Sequence, residues 1–175
     1  MTTTAPVHLA TGRWIVDPAH STAAFRVGSL GRVVAGTVPI TEGTVDIDGR
    51  GQPSAITGSL DLGAIDTGNA RRDSDLRKPR FLDLDRYPAI TFAAGTITAA
   101  PTGWRVTGDL TARGTSARLD GEMGVAGAGR SAAVTARTQL DRRALDIRAP
   151  RILIGHAIDI TVTATIRLAP QRHHS

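Results

Sequence analysis

Along most of this chain, apolar and polar residues alternate with a period of two. The run Ile158-Asp-Ile-Thr-Val-Thr-Ala-Thr-Ile-Arg-Leu168 alternates without a break. That pattern is a strand with one dry face and one wet face. At about 3.3 Å per residue it would span roughly 36 Å. Residues Trp104 to Ala112 and Ala117 to Val125 alternate in the same way, and Ala132 to Leu140 is a weaker copy. In the first half, Ala23 to Val27, Val34 to Ile40, Thr44 to Asp48, Ile56 to Leu62 and Ala89 to Thr98 read as strands, rich in the Thr and Val that strands prefer. Turn signals separate them, among them Asp48-Gly-Arg-Gly-Gln-Pro53, Ala100-Pro-Thr-Gly103, Arg113-Gly-Thr115 and Gly127-Ala-Gly129.

One stretch breaks the pattern. Thr67 to Pro79 is charged and does not alternate. Asn69 can cap a short helix carrying Arg71 to Lys78, and Pro79 ends it. Phe81 to Leu84 reads as a second helical turn. No linker and no internal repeat divides the chain. We expect a flexible N-terminus over 1–11, one domain over 12–169 and a flexible tail over 170–175. Eight or more long alternating strands joined by short turns predict an all-β fold, a closed antiparallel barrel or a sandwich. Closure hides the edges that long strands would otherwise expose. An eight-stranded barrel is just wide enough for packed side chains or for one small ligand.

Composition narrows this picture. A chain of 175 residues can bury a sizeable core, and it has no cysteine, which excludes disulfides, zinc fingers, iron–sulfur clusters and a thiol nucleophile. Apolar residues make up 41% of the chain but aromatics only 3%, and 26 residues are alanine. Such a core either packs very closely or leaves space. The inward face of the strand from Ala132 to Leu140 is mostly small, while those around Phe25, Phe92 and Trp104 are bulky. We therefore expect a cavity with a narrow bulky part and a roomier alanine-walled part.

Charge adds little. The net charge is +5, from 21 basic and 16 acidic residues, and the surplus lies in residues 101–175. The arginines are scattered singly with few aromatics between them to stack bases, so no nucleic-acid partner is expected. No window is apolar enough for a membrane-spanning helix. Six aromatics are too few for the girdles of an outer-membrane barrel. The first residues lack the charged and apolar regions of a secretory signal, so a cytoplasmic location is expected.

Two segments look like more than strand filler: Trp14-Ile-Val-Asp-Pro-Ala-His-Ser-Thr-Ala-Ala-Phe-Arg-Val27, and the stretch from Ile65 to Phe92 that carries Asn-Ala-Arg-Arg-Asp-Ser-Asp-Leu76. With Thr107-Gly-Asp-Leu-Thr-Ala-Arg-Gly-Thr115, Leu140-Asp-Arg-Arg-Ala-Leu-Asp-Ile147 and the closing strand from Ile154 to Leu168, they resemble the YceI-like family of bacterial polyisoprenoid-binding proteins. The resemblance spans about residues 12–168. It implies an extended antiparallel, lipocalin-like β-barrel of about eight strands, with one or two short helices between residues 69 and 85, enclosing an elongated apolar tunnel. It also implies a long apolar ligand such as a quinone tail or prenyl lipid, no established catalysis, and a homodimer. The chain departs from the family pattern at Asp75, where histidine is usual, at Ala117, where proline is usual, at Phe81-Leu-Asp83, where two aromatics are usual, and at Arg142 to Ile147, which lacks the usual aromatic and glycine. These departures mark a divergent member whose ligand need not be the family's.

The candidate binding residues follow from strand parity: Phe25, Val27, Leu60, Leu62, Ile90, Phe92, Trp104, Val106, Leu110, Leu119, Met123, Val134, Ile160 and Val162, with Phe81 beside them. They are either plain core or the wall of a tunnel, and a cavity wall is also a core. His20, Arg71, Arg72, Asp73 and Arg142 are the candidates for contacts at the rim or with a polar head group, since arginine forks grip anions. A helix held to the barrel by ordinary salt bridges would use the same residues. Asp17, His20 and Ser21 together suggest a base, its orienter and a nucleophile. Three groups so close on a turn more naturally bond local backbone, so no catalytic residue is assigned. His8 and His156 lack partners at ligand spacing, and neither metal nor cofactor is expected.

Three functions remain open. The first is non-enzymatic sequestration of a long apolar ligand, isoprenoid or prenyl lipid, driven by burial. The second is an enzyme that cyclises or rearranges a flexible apolar metabolite by orientation in the same cavity. The third is a structural protein whose barrel is filled by its own side chains.

Overall fold

A computed structural model describes residues 9–29, 32–79, 83–145 and 157–170. Among them are nine strands: β1 (Gly12–Val16), β2 (Thr22–Ser29), β3 (Arg32–Ile47), β4 (Pro53–Asp61), β5 (Ala89–Ala100), β6 (Gly103–Ala112), β7 (Thr115–Ala128), β8 (Ser131–Asp141) and β9 (Ala157–Leu168). All pair antiparallel, each neighbour in sequence from β2 to β9 lying beside the next, and β9 returns to pair with β2. The sheet is therefore closed.

The nine strands occupy eight positions around the barrel. β1 and β2 both lie between β3 and β9. β1 covers one end of that slot, pairing Trp14 with Val45 and with Leu168. β2 covers the other, pairing Phe25 with Gly36 and with Ile160. Between them a short turn at Pro18–His20 breaks the strand, because Pro18 fixes φ and Asp17 caps the turn through the Ala19 amide. The sequence pattern shows β2 but leaves β1 within a motif, since five residues carry too few alternations to declare a strand.

Most other elements fall where alternation places them. β3 is the exception. The two runs Val34–Ile40 and Thr44–Asp48 join into one strand of 16 residues, with the register shifting between Ile40 and Glu42. The irregularity changes which residues face inward, and so hides the continuity from a period-two reading. The Asp48 turn forms as expected: its carboxylate accepts from the Arg50 and Gln52 amides, and Gly51 takes the left-handed conformation.

The barrel has two unlike ends. At one end lie the β3–β4, β5–β6 and β7–β8 turns. At the other the chain leaves β4 on a long excursion before re-entering as β5. That excursion holds helix α1 (Ala70–Leu76), with Asn69 capping it by accepting from the Arg72 amide. The helix runs slightly short of the expected Lys78. The Arg77 and Lys78 amides bond Ser74 and Asp75, closing the last turn before Pro79. Two links stitch the excursion down. Thr37 and Asp66 exchange both backbone hydrogen bonds, and the Leu62 amide bonds the Pro88 carbonyl. The second helical turn expected from Phe81 begins outside the described residues; Asp83 and Leu84 lie in a turn, and both are buried.

Candidate ligand-binding cavity

The inward face of the strands encloses a cavity of about 320 Å3. That is at the small end of the range for ligand pockets. Its wall is almost wholly carbon. Of the residues expected from strand parity, all line the cavity except two: Trp104, and Phe81, which lies outside the described residues. A barrel filled by its own side chains, the third function considered above, would have no such space.

Trp104 corrects the parity reading. It faces inward on β6 and is 4% exposed, yet it does not touch the cavity. It packs with the fully buried Trp14 and with Leu9 and Ile47 at the turn end of the barrel. The indole N–H of Trp14 donates to the Ala10 carbonyl at 2.9 Å, so the ring is buried without an unmet donor. Leu9, assigned by sequence to a flexible terminus, is 6% exposed and part of this plug. Parity gives the face a residue occupies, not its height along the barrel axis.

The inward alanines fall into two groups. Ala132 and Ala94 are buried in the same cluster as the two indoles and do not line the cavity. Ala23, Ala136 and Ala164 do line the cavity, beside larger Val, Ile and Leu. The two inward phenylalanines both line the cavity, and each lies over a glycine. A Cβ added at Gly36 would sit 2.5 Å from the Phe25 ring, and one at Gly108 would sit 2.8 Å from the Phe92 ring. The missing side chains let both rings lie back against the wall.

The helix end supplies the polar chemistry. Leu62, Leu76 and Ile65 cap the cavity there, and Thr67 and Arg72 reach its wall. The Arg72 guanidinium donates to the Thr67 hydroxyl at 3.0 Å and to the Thr67 carbonyl at 3.1 Å. Asp73 accepts from the Thr67 amide through both carboxylate oxygens, and from its hydroxyl at 2.5 Å. Thr67 is the clamp that fixes Arg72, and sequence gave no signal for it. Arg72 is thus held by Thr67 at the edge of the cavity.

The other rim candidates do not gather there. Arg71 is exposed on the outer side of α1. His20 is exposed on the flank between β1 and β2, and does not line the cavity. Arg142 starts a short turn after β8; its side chain is outside the described residues, as is His156. Asp75 pairs with Lys78 at 2.9 Å on the exposed face of α1. The Asp17–His20–Ser21 trio resolves into turn geometry. Ser21 donates to the Asp17 carbonyl and accepts from the Thr165 amide, while Asp17 meets Arg167 at 3.2 Å.

A second recess lies on the outside, where Arg26, Arg105, Asp120, Glu122, Arg137 and Asp159 mix both signs of charge. It sits at a fork: among the described residues the β7–β8 ladder stops at the pair Gly121–Thr138, so Thr115 to Asp120 pair only with β6. The Thr138 hydroxyl bridges the fork to the Asp120 carbonyl at 2.7 Å. No group of three or more His, Asp or Glu among the described residues could hold a metal. No helix among them is long and apolar enough to cross a membrane.

Comparison with known proteins agrees with this geometry. The YceI-like domain matches residues 14–167. Protein YceI of Salmonella arizonae is 29% identical over 113 residues, which cover 63% of this chain and 59% of that protein, so the match spans less than two thirds of the relative's length. The crystal structure of BcnA from Burkholderia cenocepacia superposes with a TM-score of 0.76 at 19% identity, over 86% of this chain and 98% of that one. A polyisoprenoid-binding domain from Saccharophagus degradans, implicated in plant cell wall breakdown, gives a TM-score of 0.69 at 12% identity, over 89% and 98% of the two chains. The Campylobacter jejuni YceI protein gives 0.61 at 20% identity, over 75% and 81%.

Proposed function

This chain belongs to the YceI-like family, and from that premise we propose that it binds an apolar ligand of the isoprenoid type inside the barrel, without transforming it. The observation that carries this reading is the cavity itself: about 320 Å3 inside the barrel, with a wall almost wholly of carbon. An apolar wall with the Arg72 guanidinium held at its helix end suits a chain with a polar head. Burial drives binding at roughly 25 cal/mol per Å2 of apolar surface. The Saccharophagus degradans neighbour is described as polyisoprenoid binding, which supports the same ligand class here.

Acid–base catalysis in the cavity would need a carboxylate or imidazole facing its interior. Among the described lining residues, Glu122 and Arg137 sit at outward positions on β7 and β8, and both are exposed. The test is mass spectrometry of organic extracts from the purified protein, followed by rebinding to delipidated protein. A co-purifying prenyl lipid that rebinds in a one-to-one ratio is expected. Bare protein that binds no prenyl alcohol or prenyl phosphate would overturn the reading.

A further inference from the structure

We infer that the barrel is a blind ruler: the tryptophan plug at the turn end limits the ligand to about four isoprene units. This rests on the binding function proposed above and adds to it a size limit and the residues that set it.

The cavity has a floor. Its deepest wall residues are Val45, Ile166, Val134 and Met123. Immediately beyond them lie Trp14 at 0% and Trp104 at 4% exposure, neither of which the cavity reaches. A chain lying along the barrel axis therefore stops against this layer instead of threading through.

The length follows from the strands. Along β9 the cavity wall runs from Ile158 to Ile166. Eight steps of about 3.3 Å, tilted by roughly 40° to the axis, give about 20 Å of depth. Carbon–carbon bonds of about 1.5 Å, four along each extended isoprene unit, give roughly 5 Å per unit. Depth therefore caps the ligand at about four units. Units beyond the fourth remain outside in water and add no burial.

The plug also reports on occupancy. The protein has two tryptophans, and both are in the floor layer. A chain tip that reaches the floor changes their surroundings, and a shorter one leaves them as they are.

The experiment titrates delipidated full-length protein with prenyl alcohols of two, three, four and eight units. Displacement of a fluorescent fatty-acid probe gives affinity, and tryptophan emission reports the floor. Affinity should rise at least tenfold from two units to its maximum at three or four, and should not rise further at eight. Tryptophan emission should shift for chains at the maximum and longer, and not for two units. Ala136→Phe raises the floor, since Ala136 lines the cavity beside Met123 and Val162. It fills space instead of opening it, and should move the maximum at least one unit shorter. Trp104→Leu should move it longer, with circular dichroism confirming the fold. If affinity climbs through eight units, or the maximum ignores Ala136→Phe, the ruler is wrong and the binding function stands. If no length binds and none displaces the probe, both are wrong.

Discussion

Gly36→Ala separates the two roles a glycine can have in this wall. In a strand interior, glycine is normally the weaker residue, and alanine should stabilise by roughly 0.5–1 kcal/mol. Gly36 is not an ordinary position. Its added Cβ would meet the Phe25 ring at 2.5 and 2.8 Å and the Asp66 carbonyl at 2.8 Å. The ring can swing only toward the cavity, and the carbonyl belongs to the Thr37–Asp66 link that ties down the helix excursion. Overpacking of this kind costs about 1–3 kcal/mol, which exceeds the gain. A net loss of about 1–2 kcal/mol follows, which for a domain of this size lowers Tm by roughly 2–8 °C. Urea denaturation should show a lower midpoint at unchanged slope. The decisive measurement is the double variant with Phe25→Leu. Shortening the ring removes two of the three clashes, so the two changes should couple favourably by about 1 kcal/mol or more. The Asp66 carbonyl keeps the rescue partial. If Gly36→Ala raises the midpoint, or if the double variant is simply additive, the ring does not lie over Gly36 and the account of how the cavity stays open fails.

Two further outcomes test the helix end. Arg72→Met keeps the apolar stem and removes the charged fork; charge-assisted hydrogen bonds are worth about 1.5–3 kcal/mol, so affinity for a prenyl phosphate should fall tenfold or more while that for the matching alcohol changes less than threefold. Equal losses for both ligands would show that Arg72 acts only as packing. Asn69→Ala removes the cap that accepts from the Arg72 amide and should cost about 1 kcal/mol; hydrogen exchange should accelerate in α1 and leave β6 to β8 protected, and uniform acceleration would mean the helix and barrel unfold as one unit.

The barrel was legible because parity repeats. Each alternating strand reports its inward face independently, so Val106, Leu110, Leu119 and Met123 could be assigned to one wall without knowing the strand order. Three things resisted. The Ile40–Glu42 irregularity shifts parity inside β3, and no local composition marks it. The height of Trp104 along the axis depends on register with Met123 across the hairpin, and the sequence pattern carries no register. The Thr67–Asp73–Arg72 clamp joins residues of an irregular segment, where neither period applies. Arg72 and Asp73 were visible as charges near a helix start; that Thr67 joins them depends on a chain path only the fold provides.

The scarcity of aromatics takes on a physical meaning once the rings are placed. A closed barrel must fill its ends and can leave its middle empty, and large rings are the cheapest means of filling an end. Both indoles are at the floor, in one cluster with Ala94 and Ala132. Phe25 and Phe92 line the cavity itself, where a ring would ordinarily crowd the bore, and there Gly36 and Gly108 leave room for them against the wall. Alanine and glycine therefore do opposite work at different heights: small residues at the floor admit rings and close the barrel, while small residues higher up withdraw rings and keep it open. A composition of 26 alanines and 19 glycines cannot distinguish these uses. Register does, because it sets which small residue faces which ring.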